Sequence, residues 1–345
     1  MNKLIVIIAS FLLAGIGYLQ PYITHAAYSP AEQIDAYEFS PWELVTAVAW
    51  SPDGKLLAAA AGNQITFFQT FPLQPIASIN IGALSPAIAF NSEGSYFAVG
   101  SLDGRLRLWD LPGQMIDGSD LVQPAWTVDA HKKGINTLAF DPAGRWVASG
   151  GNDAVARLWE LQSGEKGAEI IGGTYAVPGI AFSRDGSILA VANGNIIRLR
   201  DVSSGRITGS LRGSTSIYKV IYSPDGSILA ASDAANGTLL WDPDLAFRTG
   251  VEKYPDPTKL MAHQGKQGTY HALVWALAFS PDGHMIASAG GDGTIVLWNV
   301  ADQSLWKTLR GHTRAVTSLA FSPDGHYLAT GSLDGTLRVW QLFED

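Results

Sequence analysis

Toward its end, from His312 to Trp340, the chain alternates with a period of two. In a first run, Val316, Ser318 and Ala320 fall on one side, and Thr317, Leu319 and Phe321 on the other. Alternation of this kind predicts a half-buried β-strand. The run breaks at Ser322-Pro323-Asp324-Gly325, where Pro pre-sets φ and Gly accepts φ > 0. A second run, His326 to Ser332, meets another turn at Leu333-Asp334-Gly335-Thr336, and a third run ends on Trp340. Together they predict three antiparallel strands. Three strands cannot bury both of their own faces, so the unit needs neighbours of its own kind.

The neighbours lie upstream. The aromatic closing the first run recurs as Trp50, Phe90, Phe140, Phe182, Tyr222, Phe279 and Phe321, at steps of 40, 50, 42, 40, 57 and 42 residues. A turn follows each: SPDG after Trp50, Tyr222, Phe279 and Phe321, and NSEG, DPAG or SRDG after the others. Two residues ahead of each aromatic stands a large aliphatic, with Ala between them in every copy except the fifth, which has Ile221. Large residues on one face and Ala on the other suit sheets crowded around an axis. This phased repeat resembles the WD40 family. Trp109-Asp110 and Trp241-Asp242 match its name-giving dipeptide, while Trp159, Trp298 and Trp340 keep the Trp alone.

The resemblance implies an all-β fold, a seven-bladed β-propeller over residues 34–345. Ile34 to Phe39 aligns with Leu305 to Arg310, the outermost strand of a preceding blade, yet no repeat precedes the first. This N-terminal strand is therefore expected to close the last blade and remove the exposed edges. The family often ties a blade with buried His, Ser or Thr, Asp and Trp. His131, Ser149, Asp153 and Trp159 match that set in blade three, and His312, Thr330, Asp334 and Trp340 in blade seven. Blade six offers Ser288, Asp292 and Trp298 with either His263 or His271, and blade two keeps only Asp103 and Trp109. Blades one and four have Phe68 and Arg200 at the Trp position and a second turn one residue shorter. Segments 112–124 and 243–271 read as insertions between strands.

Composition narrows the chemistry. The net charge is −8 and only 16% of residues are charged, which argues against a phosphate-tracking groove and hence against nucleic acid as a partner. There is no Cys, so thiolate metal sites and Cys nucleophiles are excluded. His131 with Asp153 and Ser149, or His312 with Asp334, contains the residue types of a hydrolytic triad. Their recurrence at blade-periodic positions favours structural ties, since a triad is needed once and must face a cleft. The row facing the axis is Ala47, Ala87, Thr137, Gly179, Lys219, Ala276 and Ser318. Without a carboxylate or imidazole, it suggests no metal, cofactor or enzyme activity.

The start of the chain points elsewhere. A positive Asn2-Lys3, the apolar run Leu4 to Leu19 and small residues at Thr24 and Ala26 fit a secretory signal over 1–26 followed by a linker over 27–33. The alternative is an uncleaved membrane anchor. Either predicts an exported protein: secreted, periplasmic or bound to the cell envelope.

What remains is the rim made by loops entering the first strands. Trp42, Lys132, Lys133, Tyr175, Tyr218 and Arg314 fall there by alignment, outside the repeating core. Aromatics and long cations on exposed loops make interface hot spots. The expected function is an exported, monomeric scaffold that binds a protein or peptide through this rim. The rivals are a hydrolase or lactonase with a metal in the channel, and a sensor domain signalling through a separate chain.

Overall fold

The computed structural model describes residues 32–40, 43–111, 123–171, 173–235, 237–249, 254–261, 263 and 273–343. Within them the chain forms seven four-stranded antiparallel sheets, built from strands β1 to β28 and one short helix. The first strands are β2 (Val45–Trp50), β6 (Ala87–Phe90), β10 (Ile135–Phe140), β14 (Ile180–Phe182), β18 (Ile217–Tyr222), β22 (Val274–Phe279) and β26 (Val316–Phe321). Each ends on the aromatic that marks its repeat, and each packs beside the next, with β26 beside β2. The all-β, seven-bladed propeller expected from the repeats is the fold observed.

The turns work as their residues dictate. In blade one the Ser51 hydroxyl donates to Asp53 Oδ1 (2.6 Å) and accepts the Leu56 amide (3.0 Å), while Gly54 takes φ of 71°. Local bonds thus replace the ladder at the point where the strand reverses. Interiors are layered between blades. The cluster joining blades seven and one packs Val45, Val48, Leu57 and Phe68 against Ala329, Leu337 and Val339. At Gly331 a Cβ would lie 2.5 Å from Val45 Cγ1 of the next blade, so only glycine permits that approach.

Strand β1 (Glu32–Glu38) completes blade seven. It pairs antiparallel with β28 (Thr336–Gln341), from Glu32 opposite Gln341 to Glu38 opposite Thr336. The strand begins inside the stretch read as linker and extends the propeller boundary to Glu32. It also clasps blade one. Tyr37 meets Phe68 edge-on at 4.9 Å, and the Leu73 amide donates to Asp35 Oδ2 (2.9 Å).

The second insertion is corrected in part. Pro243–Thr249 is a seven-residue helix, α1, whose buried Ala246 packs on Gly209 of blade four. Thr258–Met261 is β21, the outer strand of blade five. Between them the Pro255 carbonyl accepts the Trp241 Nε1–H (3.1 Å). Most of the first insertion, 112–122, lies outside the described residues, as do 1–31 with the signal or anchor reading.

Candidate functional site

In each blade the first strand runs away from one end of the ring and the second strand returns to it. That end is therefore built from the loop entering the first strand and the turn between the second and third strands. Backbone bonds join the two, as from Leu102 N to Leu84 O (2.8 Å) and from Leu333 N to Ala315 O (2.9 Å).

The structural ties hold this end rigid. In blade three the Trp159 Nε1–H donates to Ser149 Oγ (2.9 Å), and the Ser149 oxygen lies 2.8 Å from His131 Nε2. His131 Nδ1 is 2.8 Å from Asp153 Oδ1. A neutral imidazole accepting from Ser149 and donating to Asp153 satisfies the whole chain. Arg157 Nη1 donates to the second Asp153 oxygen (2.8 Å). Blade seven repeats the chain through Trp340, Thr330, His312 and Asp334, and Asp334 also takes the Thr313 and Thr336 amides. In blade six the histidine is His263, between Ser288 (3.0 Å) and Asp292 (3.3 Å). Blade two has no such histidine; Arg107 instead bridges Ser101 (2.9 Å) and Asp103 (2.7 Å). The His131 and His312 side chains are fully buried, so neither set faces a cleft where a substrate could be attacked.

These ties are expected to make the fold acid-sensitive. Burial pushes His131 below its ordinary value of 6.5, against the pull of Asp153. Burial would raise Asp292, but hydrogen bonds from His263 and Thr294 outweigh it and bring the carboxyl from 3.8 to about 2. Asp334 is lowered in the same way through His312 and Thr336. Below about pH 6.5 the unfolded chain binds a proton that folded His131 refuses. Below about pH 4 unfolded carboxylates protonate before the folded ones. Both effects remove stability as pH falls. The melting temperature is expected to be flat above about pH 7 and to fall in two stages, near pH 6 and between ~4 and 2, when followed by circular dichroism. A flat profile from pH 8 to 3 would contradict this.

A second row at the same end is where the blades differ. Near the start of the first strand the register slips by one residue in blades one, three, five, six and seven, leaving Thr46, Asn136, Tyr218, Trp275 and Thr317 out of the ladder. Three of these reach across to the next blade. Thr46 Oγ1 donates to Ser85 O (2.9 Å), Thr317 Oγ1 to Val45 O (2.6 Å), and Asn136 Nδ2 lies 3.4 Å from Val177 O. Blades five and six instead carry aromatics. Tyr218 and Trp275 stack on each other (6.5 Å, 10°) and stay 39% and 36% exposed.

Five of the six residues assigned to the rim are described, and all five are exposed at this end. Tyr175, 66% exposed, lies over Gly194 in the shortened turn of blade four. Lys132, Lys133 and Arg314 have no ion-pair partner among the described residues. Trp42 lies outside them. Trp275 escaped notice because it sits within a repeating strand, where large residues read as core; its departure from the Thr, Asn and Pro of its counterparts was the available signal. Leu84 and Leu102, 40% and 44% exposed, add an apolar margin. Among the described residues no three His, Cys, Asp or Glu side chains converge as a metal site would require.

Comparison with known proteins agrees with the geometry. Residues 37–68, 84–110, 122–160, 261–299 and 303–341 match the family described as WD domain, G-beta repeat. The unmatched interval is that of blades four and five. A Protein LST8 homolog of Drosophila pseudoobscura pseudoobscura is 29% identical over 59% of this chain and 62% of its own length. A ribosome biogenesis protein WDR12 homolog of Chlamydomonas reinhardtii is 25% identical over 65% of this chain and 55% of its own. The Arabidopsis thaliana protein Cell division cycle 20.1, cofactor of APC complex, is 23% identical over 74% and 54%. The alignments thus cover between about half and two thirds of these relatives. They also correct the expectation of export: ribosome biogenesis and the cell division cycle are processes inside cells, so the relatives point away from an exported protein. Among the described residues no helix is long and apolar enough to cross a membrane.

Proposed function

The chain belongs to the WD-repeat family, and we propose that it is a non-enzymatic scaffold binding a protein or peptide across the rim that bears Tyr175, Tyr218 and Trp275. One observation carries this reading. At a position where three other blades place a small polar residue tied to the next blade, blades five and six expose a stacked aromatic pair. Large exposed rings without a packing role are the residues from which interface anchors are made. A rigid ring presents them with little ordering cost on its own side. The relatives lend support in kind, one of them being named as a cofactor of a complex. Neither the channel hydrolase nor the sensor reading has an observation in its favour among the described residues.

The test is a triple substitution of Tyr175, Tyr218 and Arg314 by Ala. Because these side chains are exposed, stability should fall by only about 1–2 kcal/mol in total. Capture of the partner from native extract should weaken about tenfold or more if even one is a hot spot. Unchanged capture would remove the rim from the binding surface. A collapse of the melting temperature would show instead that these side chains hold their own loops.

A further inference from the structure

Charge is divided unevenly between the two ends of the ring. The first turn of six blades carries an aspartate at the far end, including Asp53, Asp225 and Asp324. At the rim most carboxylates are engaged. Asp153, Asp292 and Asp334 serve the ties, Asp103 is held by Arg107, and Asp233 accepts from Ser214 (2.7 Å) and two backbone amides. Glu38 and Glu43 are rim carboxylates with no ion-pair partner among the described residues. Some cations there pair with these carboxylates, as Arg107 and Arg157 do, but Lys132, Lys133 and Arg314 project unpaired from the loops, and Lys219 stands in the row facing the axis.

Lys219 is the unusual member. In the row facing the axis the other six positions hold only Ala, Thr, Gly and Ser. The geometry of that row is set by two of them. Ser318 Oγ accepts the Val48 amide of the next blade (2.9 Å), and a Cβ on Gly179 would lie 2.9 Å from Val220 N. Lys219 thus begins where the first strands of blades five and six meet. Among the described residues its ammonium has no hydrogen-bond or ion-pair partner. Although the residue keeps part of its surface open, burial pushes its pKa below the ordinary 10.5, with no opposing charge to restore it. An unpaired, desolvated ammonium is destabilising, so a fold that retains one without a tie has a ligand to gain from it. Immediately ahead of it in the strand, Tyr218 stacks on Trp275.

We propose that the mouth of the channel between blades five and six receives an acidic segment of the protein partner, one carboxylate of which pairs with Lys219 while the peptide lies against the Tyr218–Trp275 stack. This rests on the scaffold reading above and names the chemistry of the segment bound. A carboxylate is favoured over a phosphate because one ammonium neutralises one charge; a dianion would leave a net charge in a poorly solvated site. The surrounding Lys132, Lys133 and Arg314 attract the acidic segment from a distance.

The experiment uses the full chain and a fluorescein-labelled hexaglutamate peptide with an amidated C-terminus, followed by anisotropy at low salt. Hexaglutamine and an oligothymidylate of equal charge serve as competitors. Lys219→Met should weaken hexaglutamate binding about tenfold, Lys219→Arg should retain most of it, and hexaglutamine should not compete. Lys219→Met should also raise the melting temperature by roughly 2–4 °C, since it removes a buried unpaired charge, so weaker binding would not be a sign of misfolding. Equal binding by wild type and Lys219→Met would overturn the proposal. Competition by oligothymidylate as effective as by hexaglutamate would also overturn it, as plain polyanion attraction. If Lys219→Met keeps the natural partner while the Tyr175/Tyr218/Arg314 variant loses it, the scaffold stands and the carboxylate site falls. Retention of the partner by both variants removes the scaffold reading itself.

Discussion

Deleting Glu32–Glu38 is expected to lower the melting temperature by roughly 5–10 °C and to drive the protein into soluble aggregates. The strand supplies a ladder to β28, an Arg338-to-Gln33 bond of 2.6 Å and the Asp35 contact to Leu73. Tyr37 in the strand and Phe39 beyond it pack their rings on Phe68. Loss of the ladder bonds and partial loss of the aromatic contacts amounts to about 5 kcal/mol, and each kcal/mol moves a domain this large by about 1–2 °C. Aggregation follows from the free edge of β28, whose amides and carbonyls then seek another chain. Calorimetry with size-exclusion chromatography tests both. An unchanged melting temperature and elution volume would show that the ring does not depend on this strand.

Asp334→Ala carries the largest expected effect of a single substitution. Its carboxylate takes the Thr313 amide (2.9 Å), the Thr336 amide (3.0 Å) and the Thr336 hydroxyl (2.7 Å), and it lies 3.0 Å from His312 Nδ1. Removing it strands a buried imidazole and two amides, for a loss of about 3 kcal/mol. Asn195→Ala, in the short turn of blade four, should stay within about 0.5 kcal/mol, because its side chain carries no comparable network. Chemical denaturation of both variants measures the contrast. Equal losses would erase the distinction between tied and untied blades.

The inner strands were legible in the sequence because their alternation is enforced from both sides. Val48 and Ala49 each face a neighbouring blade, and SPDG fixes where the strand ends. The ties of blades three and seven were legible for a related reason: buried polar groups must be matched as sets. The outer strands were not. In Thr258–Met261 only Leu260 is buried, so the pattern that would reveal a strand is reduced to one residue within a run of Pro and charge. Trp275 was hidden by the opposite fault. A one-residue slip between Val274 and Ala276 turns it out of the strand, and a slip in register leaves no mark on periodicity over so short a run.

The pairing of β1 with β28 has a consequence for synthesis. Gln33 and Arg338, bonded in the finished ring, are 305 positions apart in the chain. A ribosome releases β1 well before its ladder partner β28 exists. Blades one to six can each assemble from strands adjacent in sequence, but the earliest strand must wait, edge open, until β28 has emerged. The propeller is therefore an open arc while its seven repeats are made, and it becomes a ring in one late step that joins its β1 strand to its β28 strand.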